Sequence, residues 1–127
     1  MELERTRPVL AAQGAYYVAT GVLPFVSRRA FEAVTGPKRE WWLVQTVGAL
    51  VTVVGGALLA GAARDRVPPE LAAIAAGSAA SLAAIDVVYV AKRRIAPTYL
   101  GDAAVQVALL TAGARRAGRP APPARCR

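Results

Sequence analysis

WWLVQTVGALVTVVGGALLAGAA, residues 41–63, runs from end to end without one charged side chain. A helix rises about 1.5 Å per residue, so roughly 20 residues cross a 30 Å hydrocarbon core. The stretch is long enough to do so. Three further apolar stretches flank it, at residues 8–27, 71–91 and 97–114. Four such segments consume most of 127 residues. The expected fold is therefore all-α: an integral membrane bundle of four transmembrane helices over residues 1–117, followed by a disordered Pro- and Arg-rich tail over 118–127. Composition agrees, since 55% of residues are hydrophobic and mean hydropathy is +0.36, high for a chain with 16 lysines and arginines.

The net charge of +8 does not point to nucleic acid. Arg7, Arg28, Arg29, Lys38, Arg39, Arg64, Arg66, the run Lys92-Arg93-Arg94, Arg115 and Arg116 sit at span ends rather than along one stripe. There they snorkel to headgroups and attract anionic lipid, so the expected partner is the bilayer. The chain has no His, and its one cysteine, Cys126, lies in the tail. That excludes an intrachain disulfide and a thiolate or imidazole metal centre, and no cofactor motif is present. The first span follows Glu2 and Glu4, contains Tyr16 and Tyr17 and lacks a small-residue cleavage pattern, so it is expected to be retained rather than cleaved as a signal peptide.

Within helix 1, Gln13, Tyr17 and Thr20 recur at helical spacing and form a polar face expected to point into the bundle. Residues 27–40 are amphipathic. Two readings stand level: a short interfacial helix ended by Gly36-Pro37, or a plain connecting loop. Trp41 and Trp42 mark a membrane interface. Rows of small residues suit close packing of helices in lipid: Gly48, Thr52, Gly56 and Ala60 in helix 2; Ala73, Gly77 and Ser81 beside Ala72, Ala76 and Ala80 in helix 3; Ala104, Ala108 and Ala112 in helix 4. Pro69 and Glu70 suit the first turn of helix 3. The 16 basic residues divide nine to seven between the two sides, and the positive-inside rule then leans to cytoplasmic termini.

Two carboxylates remain inside the apolar runs, Asp86 and Asp102, placed almost symmetrically about Lys92-Arg93-Arg94. Each is about 8 Å in from that loop by helical rise. A carboxylate in hydrocarbon is costly and normally faces a protein interior. Gln45 and Thr20 reach the same level from the other helices. Tyr89 lies three residues after Asp86, while Tyr99 and Gln106 lie three before and four after Asp102, one face in each case. With Tyr17, these eight residues form the expected polar pocket, a ligand-binding or proton-exchange site. The competing reading is structural. Asp86 would pair with Lys92 or Arg93, Asp102 would be capped by Tyr or Gln, and the two would lock helices 3 and 4.

AQGAYYVATGVLPFV (residues 12–26), FEAVTGPKREWWLVQTVGAL (31–50), AAIDVVYV (83–90) and RRIAPTYLGDA (93–103) resemble an uncharacterised family of small four-helix bacterial integral membrane proteins. The resemblance covers residues 11 to 114 or so. It implies a bacterial cytoplasmic (inner) membrane location, and a single arrangement joining residues 31–38 to the two aspartates. Small multidrug transporters share the length and helix number, but carry their membrane carboxylate in the first helix, where this chain has none. Sterol-isomerase-like four-helix proteins are similar in architecture only. Three functions stand: binding or transport of a hydrophobic, cationic or proton-linked small molecule; a structural or interaction role, with self-association included; and, with least support, a membrane enzyme acting on a lipophilic substrate. No nucleophile motif, phosphate loop or metal constellation supports a conventional enzyme.

Overall fold

The structure, a computed structural model, describes residues 3–118. It is all-helical: a 3₁₀ turn over Leu3–Thr6, then α1 (Arg7–Val26), α2 (Arg28–Thr35), α3 (Trp41–Ala62), α4 (Pro69–Ala91) and α5 (Tyr99–Ala117). Three helices, α1, α3 and α4, are long and apolar enough to cross a membrane. α5 has 19 residues but is not among them, because Asp102, Gln106, Arg115 and Arg116 dilute its apolar character. The expected four spans are thus three by composition. The tail beyond Gly118 lies outside the described residues.

Helix boundaries follow local chemistry. Pro8 opens α1 and Pro69 opens α4, positions where a missing N–H costs nothing. Ser27 closes α1 by donating its backbone N–H to the Leu23 carbonyl (2.9 Å). Its hydroxyl then caps α2 by accepting from the Ala30 N–H (3.1 Å). α2 ends at Gly36, whose φ of 89° suits a residue without Cβ. Residues 28–35 are therefore helical, with no buried side chain. Pro24 sits inside α1 and has no N–H to give the Thr20 carbonyl one turn earlier.

Packing is crosswise. α1 lies along α3 and α4 along α5, whereas α3 and α4, neighbours in the chain, touch only briefly. The α1–α3 contact is glycine against glycine. A Cβ on Gly14 would meet the Gly55 carbonyl at 2.8 Å, and one on Gly48 would meet the Gly21 carbonyl at 2.7 Å. Buried residues are small or few: Ala75, Ala79, Ala83 and Ala103, with Leu10, Tyr17, Leu58 and Val67. Val47, Leu50, Val53, Ile74, Ile85 and Val87 point outward. That inversion suits helices whose surroundings are as apolar as their side chains, so close backbone approach drives association.

The small-residue rows need correction. In α3 the packed positions are Gly48, Thr52 and Gly55, while Gly56 faces open space and Ala60 is exposed. α4 buries Ala75, Ala79 and Ala83, a different face from Ala73-Gly77-Ser81 or Ala72-Ala76-Ala80. α5 buries Ala103 and Gln106, leaving Ala104 and Ala108 exposed. With alanine on every side of a helix, small residues do not identify the buried face. In α4 and α5 the polar residue does, because Asp86 and Gln106 need neighbours.

Candidate functional site

Continuing the buried face of α4 by three residues from Ala83 brings in Asp86, only 5% exposed. Across from it, the first turn of α5 presents Asp102, where a carboxylate also meets the positive end of the helix dipole. The two side chains adjoin. Two carboxyls in contact attract only with a proton between them, and repel otherwise. Asp86 Oδ2 is buried and has no hydrogen-bond partner. Among the described residues the ion pair present is Arg28–Glu32, so neither aspartate is neutralised by a cation.

α1 supplies the donors. The Tyr16 hydroxyl donates to Asp102 Oδ1. The same oxygen accepts from Gln106 Nε2 at 3.2 Å, and the Tyr17 hydroxyl donates to Gln106 Oε1 at 2.7 Å. Tyr17 and Gln106 are each 1% exposed. Farther along α1, Gln13 Nε2 donates to the Ala75 carbonyl at 2.9 Å. A polar seam thus joins α1 to α4 and α5, with the Tyr16, Tyr17 and Gln13 links each between elements distant in sequence.

Beside this seam lies a cavity of about 310 Å³. Its polar wall is Tyr17, Thr20, Tyr99, Asp102 and Gln106, and its apolar wall includes Pro24, Phe31, Leu43, Val44, Val47, Val51 and Leu82. A second cavity of about 330 Å³, toward α2 and the start of α5, shares Thr20, Phe31, Tyr99 and Asp102 with the first. Asp102 therefore stands in the partition between two mostly apolar spaces.

α2 roofs these spaces. Phe31 lies edge-on to Trp41 with ring centroids 5.7 Å apart, and the Arg28 guanidinium sits 4.7 Å from the centroid of the same Trp41 ring. Thr98 Oγ1 donates to the Val34 carbonyl at 2.6 Å, tying α2 to the chain ahead of α5. Glu32 accepts from the Lys38 backbone N–H and from Arg28 Nε, each at 2.8 Å. These bonds, the Lys38 N–H foremost and then Arg28, hold its carboxyl below the usual range. Lys38 Nζ donates to the Thr35 carbonyl (2.7 Å) and lies 5.2 Å from the centroid of the Tyr99 ring.

Of the eight residues expected in the pocket, the structure gathers Asp86, Asp102, Gln106, Tyr17, Thr20 and Tyr99. The Thr20 hydroxyl is spent on its own helix, donating to the Tyr16 carbonyl at 2.9 Å. Gln45 and Tyr89 are not brought in. Gln45 lines neither cavity, and its side chain makes no hydrogen bond among the described residues. Tyr89 is 39% exposed and lies 5.5 Å from the Lys92 ammonium. Lys92 is thereby engaged away from Asp86, and the expected pairing of Asp86 with Lys92 or Arg93 is absent. Asp102, in contrast, is capped by a tyrosine and a glutamine, as the structural reading expects. Two residues were missing from the expected pocket. Tyr16 carries a signal in its four-residue spacing to Thr20; for Phe31 the one pointer is the resemblance joining residues 31–38 to the aspartates, because its position depends on α2 folding back over the cavity.

Among the described residues no group of three or more His, Cys, Asp or Glu side chains is placed to hold a metal ion. The arrangement offers carboxyls, tyrosine hydroxyls and an aromatic face beside apolar walls, suited to recognising charge on an otherwise apolar molecule. No family model, curated protein or solved structure matches the chain.

Proposed function

We propose that this chain is a small multi-pass protein of a bacterial cytoplasmic membrane that binds, and carries, a cationic or proton-linked small molecule in the cavity beside Asp102. α5 completes a four-span bundle, α2 lies in the interface, and both termini are cytoplasmic. Membership of the family of small four-helix bacterial membrane proteins fits this reading. The supporting observation is the pairing of buried Asp86 with half-buried Asp102, without a cationic partner, Asp102 itself lining a cavity of about 310 Å³. Two carboxyls without a cation are a poor way to hold helices together, since breaking even or losing is the usual outcome for buried charge. An intramembrane carboxylate is by default a functional candidate.

The test is transport in proteoliposomes with a fluorescent lipophilic cation under an imposed pH gradient. Wild type is expected to move the dye, and Asp102→Asn to stop doing so while keeping its helical content and elution volume. If wild type and empty liposomes behave alike, and the dye does not bind the purified protein either, the proposal fails. The structural reading is favoured by one observation, the capping of Asp102 by Tyr16 and Gln106. It requires that Asp102→Asn lower stability without touching any flux.

A further inference from the structure

Resting on the cation-binding reading above, we infer that the cavity takes a protonated primary amine with an apolar body, its ammonium placed between the Asp102 carboxyl and the face of Tyr99. Three observations converge on an N–H-bearing cation rather than a cation as such. First, acceptors outnumber donors around the partition. Asp102 Oδ1 already receives Tyr16 and Gln106, yet Asp86 Oδ2 behind it is buried and unpartnered. Pro24 also leaves the Thr20 carbonyl without its helical N–H, on a turn whose residues Thr20, Gly21 and Pro24 all line the cavity. A quaternary ammonium or phosphonium has no hydrogen to offer the Asp102 carboxyl or the Thr20 carbonyl beside the cavity, while a primary ammonium has three.

Second, the fold itself seats a primary ammonium against Tyr99. Lys38 Nζ sits 5.2 Å from that ring's centroid and spends one of its N–H groups on the Thr35 carbonyl. An amine entering from the inner side finds the same aromatic ring in the cavity wall. Third, the apolar lining shared with Asp102 includes Phe31, Val44 and the half-exposed Leu43 and Val47, which suits an alkyl or aryl body and gives a second charge no partner. Tyr99 and Asp102 are the contact residues. Asp86 lines neither cavity and acts through Asp102 as a positioning residue.

The experiment is fluorescence titration of the full-length protein in nanodiscs near neutral pH. Trp41, packed on Phe31, is the reporter. The probes are 2-phenylethylamine, its neutral analogue 2-phenylethanol, and tetrapropylammonium. The amine is expected to bind about tenfold tighter than either of the others, the scale of one charge-assisted hydrogen bond, and Asp102→Asn to erase that margin. Tyr99→Leu, away from the buried seam, is expected to weaken the amine several-fold and leave 2-phenylethanol unchanged. It decides the matter where Asp102→Asn does not fold. Tetrapropylammonium binding as tightly as the amine overturns the inference and leaves the cation-binding function standing. Equal affinity for 2-phenylethanol, or no saturable binding by any probe, overturns both.

Discussion

Asp86 is the residue at which structural and functional roles make opposite demands. Its Oδ2 is buried without a partner, and leaving a buried polar atom unsatisfied costs about 1–3 kcal/mol. The polar group it adjoins, Asp102, is another carboxyl. Asparagine keeps the shape and brings an NH2 donor to that neighbour. Asp86→Asn is therefore expected to raise the melting temperature in detergent by a few degrees while weakening cation binding. A fall in melting temperature would mark Asp86 as a structural tie. Asp102 responds differently, because Tyr16 and Gln106 already donate to it.

At the scale of elements, the α1–α3 crossing is held by backbone proximity, and one position shows how narrow the tolerance is. A Cβ at Gly55 meets the Gly14 carbonyl and the Val18 nitrogen, both at 2.8 Å, whereas at Gly56 nothing lies within 4 Å. Gly55→Val is expected to destabilise by at least ~2 kcal/mol, since overpacking against backbone leaves nothing that can yield. Gly56→Val is expected to stay within about 0.5 kcal/mol of wild type, as exposed substitutions do. Urea unfolding in a mild detergent compares the two; equal effects would mean that the helices cross elsewhere. α2 carries a pH dependence of known sign. Bonds from Lys38 N–H and Arg28 depress the Glu32 carboxyl, so its contribution to holding α2 is present above the ordinary glutamate value. It is lost as pH falls through the lower folded value. The Lys38 amide proton is expected to shift in an NMR titration with a midpoint below about 4.3. Glu32→Gln is expected to abolish that step, and a midpoint at or above the ordinary value refutes the arrangement.

For the whole molecule the open quantity is the number of crossings. α1, α3 and α4 qualify by composition; α5 has the length but carries the site's Asp102 and Gln106 and two arginines in its last turn. Under the proposed function α5, packed along α4 and sharing the polar seam with α1, runs through the same layer. Labelling Cys126, and a cysteine placed at position 2 of a Cys126→Ser variant, with a membrane-impermeant maleimide is expected to find both from the same side. Opposite sides would mean three crossings. Self-association adds a copy without altering that parity.

How far the site can be read from sequence follows from which signals are local. A charge-free run as long as residues 41–63 and proline at helix starts are local, and they are written in composition and backbone chemistry; residues 27–40 read equally as helix or loop. The distance of Asp86 and Asp102 from their shared loop is local too, since it follows from helical rise. What sequence does not carry is azimuth. In helices where alanine and glycine occur on all sides, nothing distinguishes Gly55 from Gly56, or Ala75-Ala79-Ala83 from the neighbouring rows, until another helix approaches. The same lack of azimuth assigned Gln45 and Tyr89 to the pocket and omitted Tyr16 and Phe31. By itself, then, the sequence determined the long apolar helices and set the two carboxyls on either side of one basic loop. Only the tertiary structure decided that α1 pairs with α3 and α4 with α5, that Tyr16 and Gln106 converge on one oxygen of Asp102, and that Asp86 is left with an unpartnered one. Helix rise is a property of one chain segment, whereas the direction a side chain faces acquires meaning only against a second.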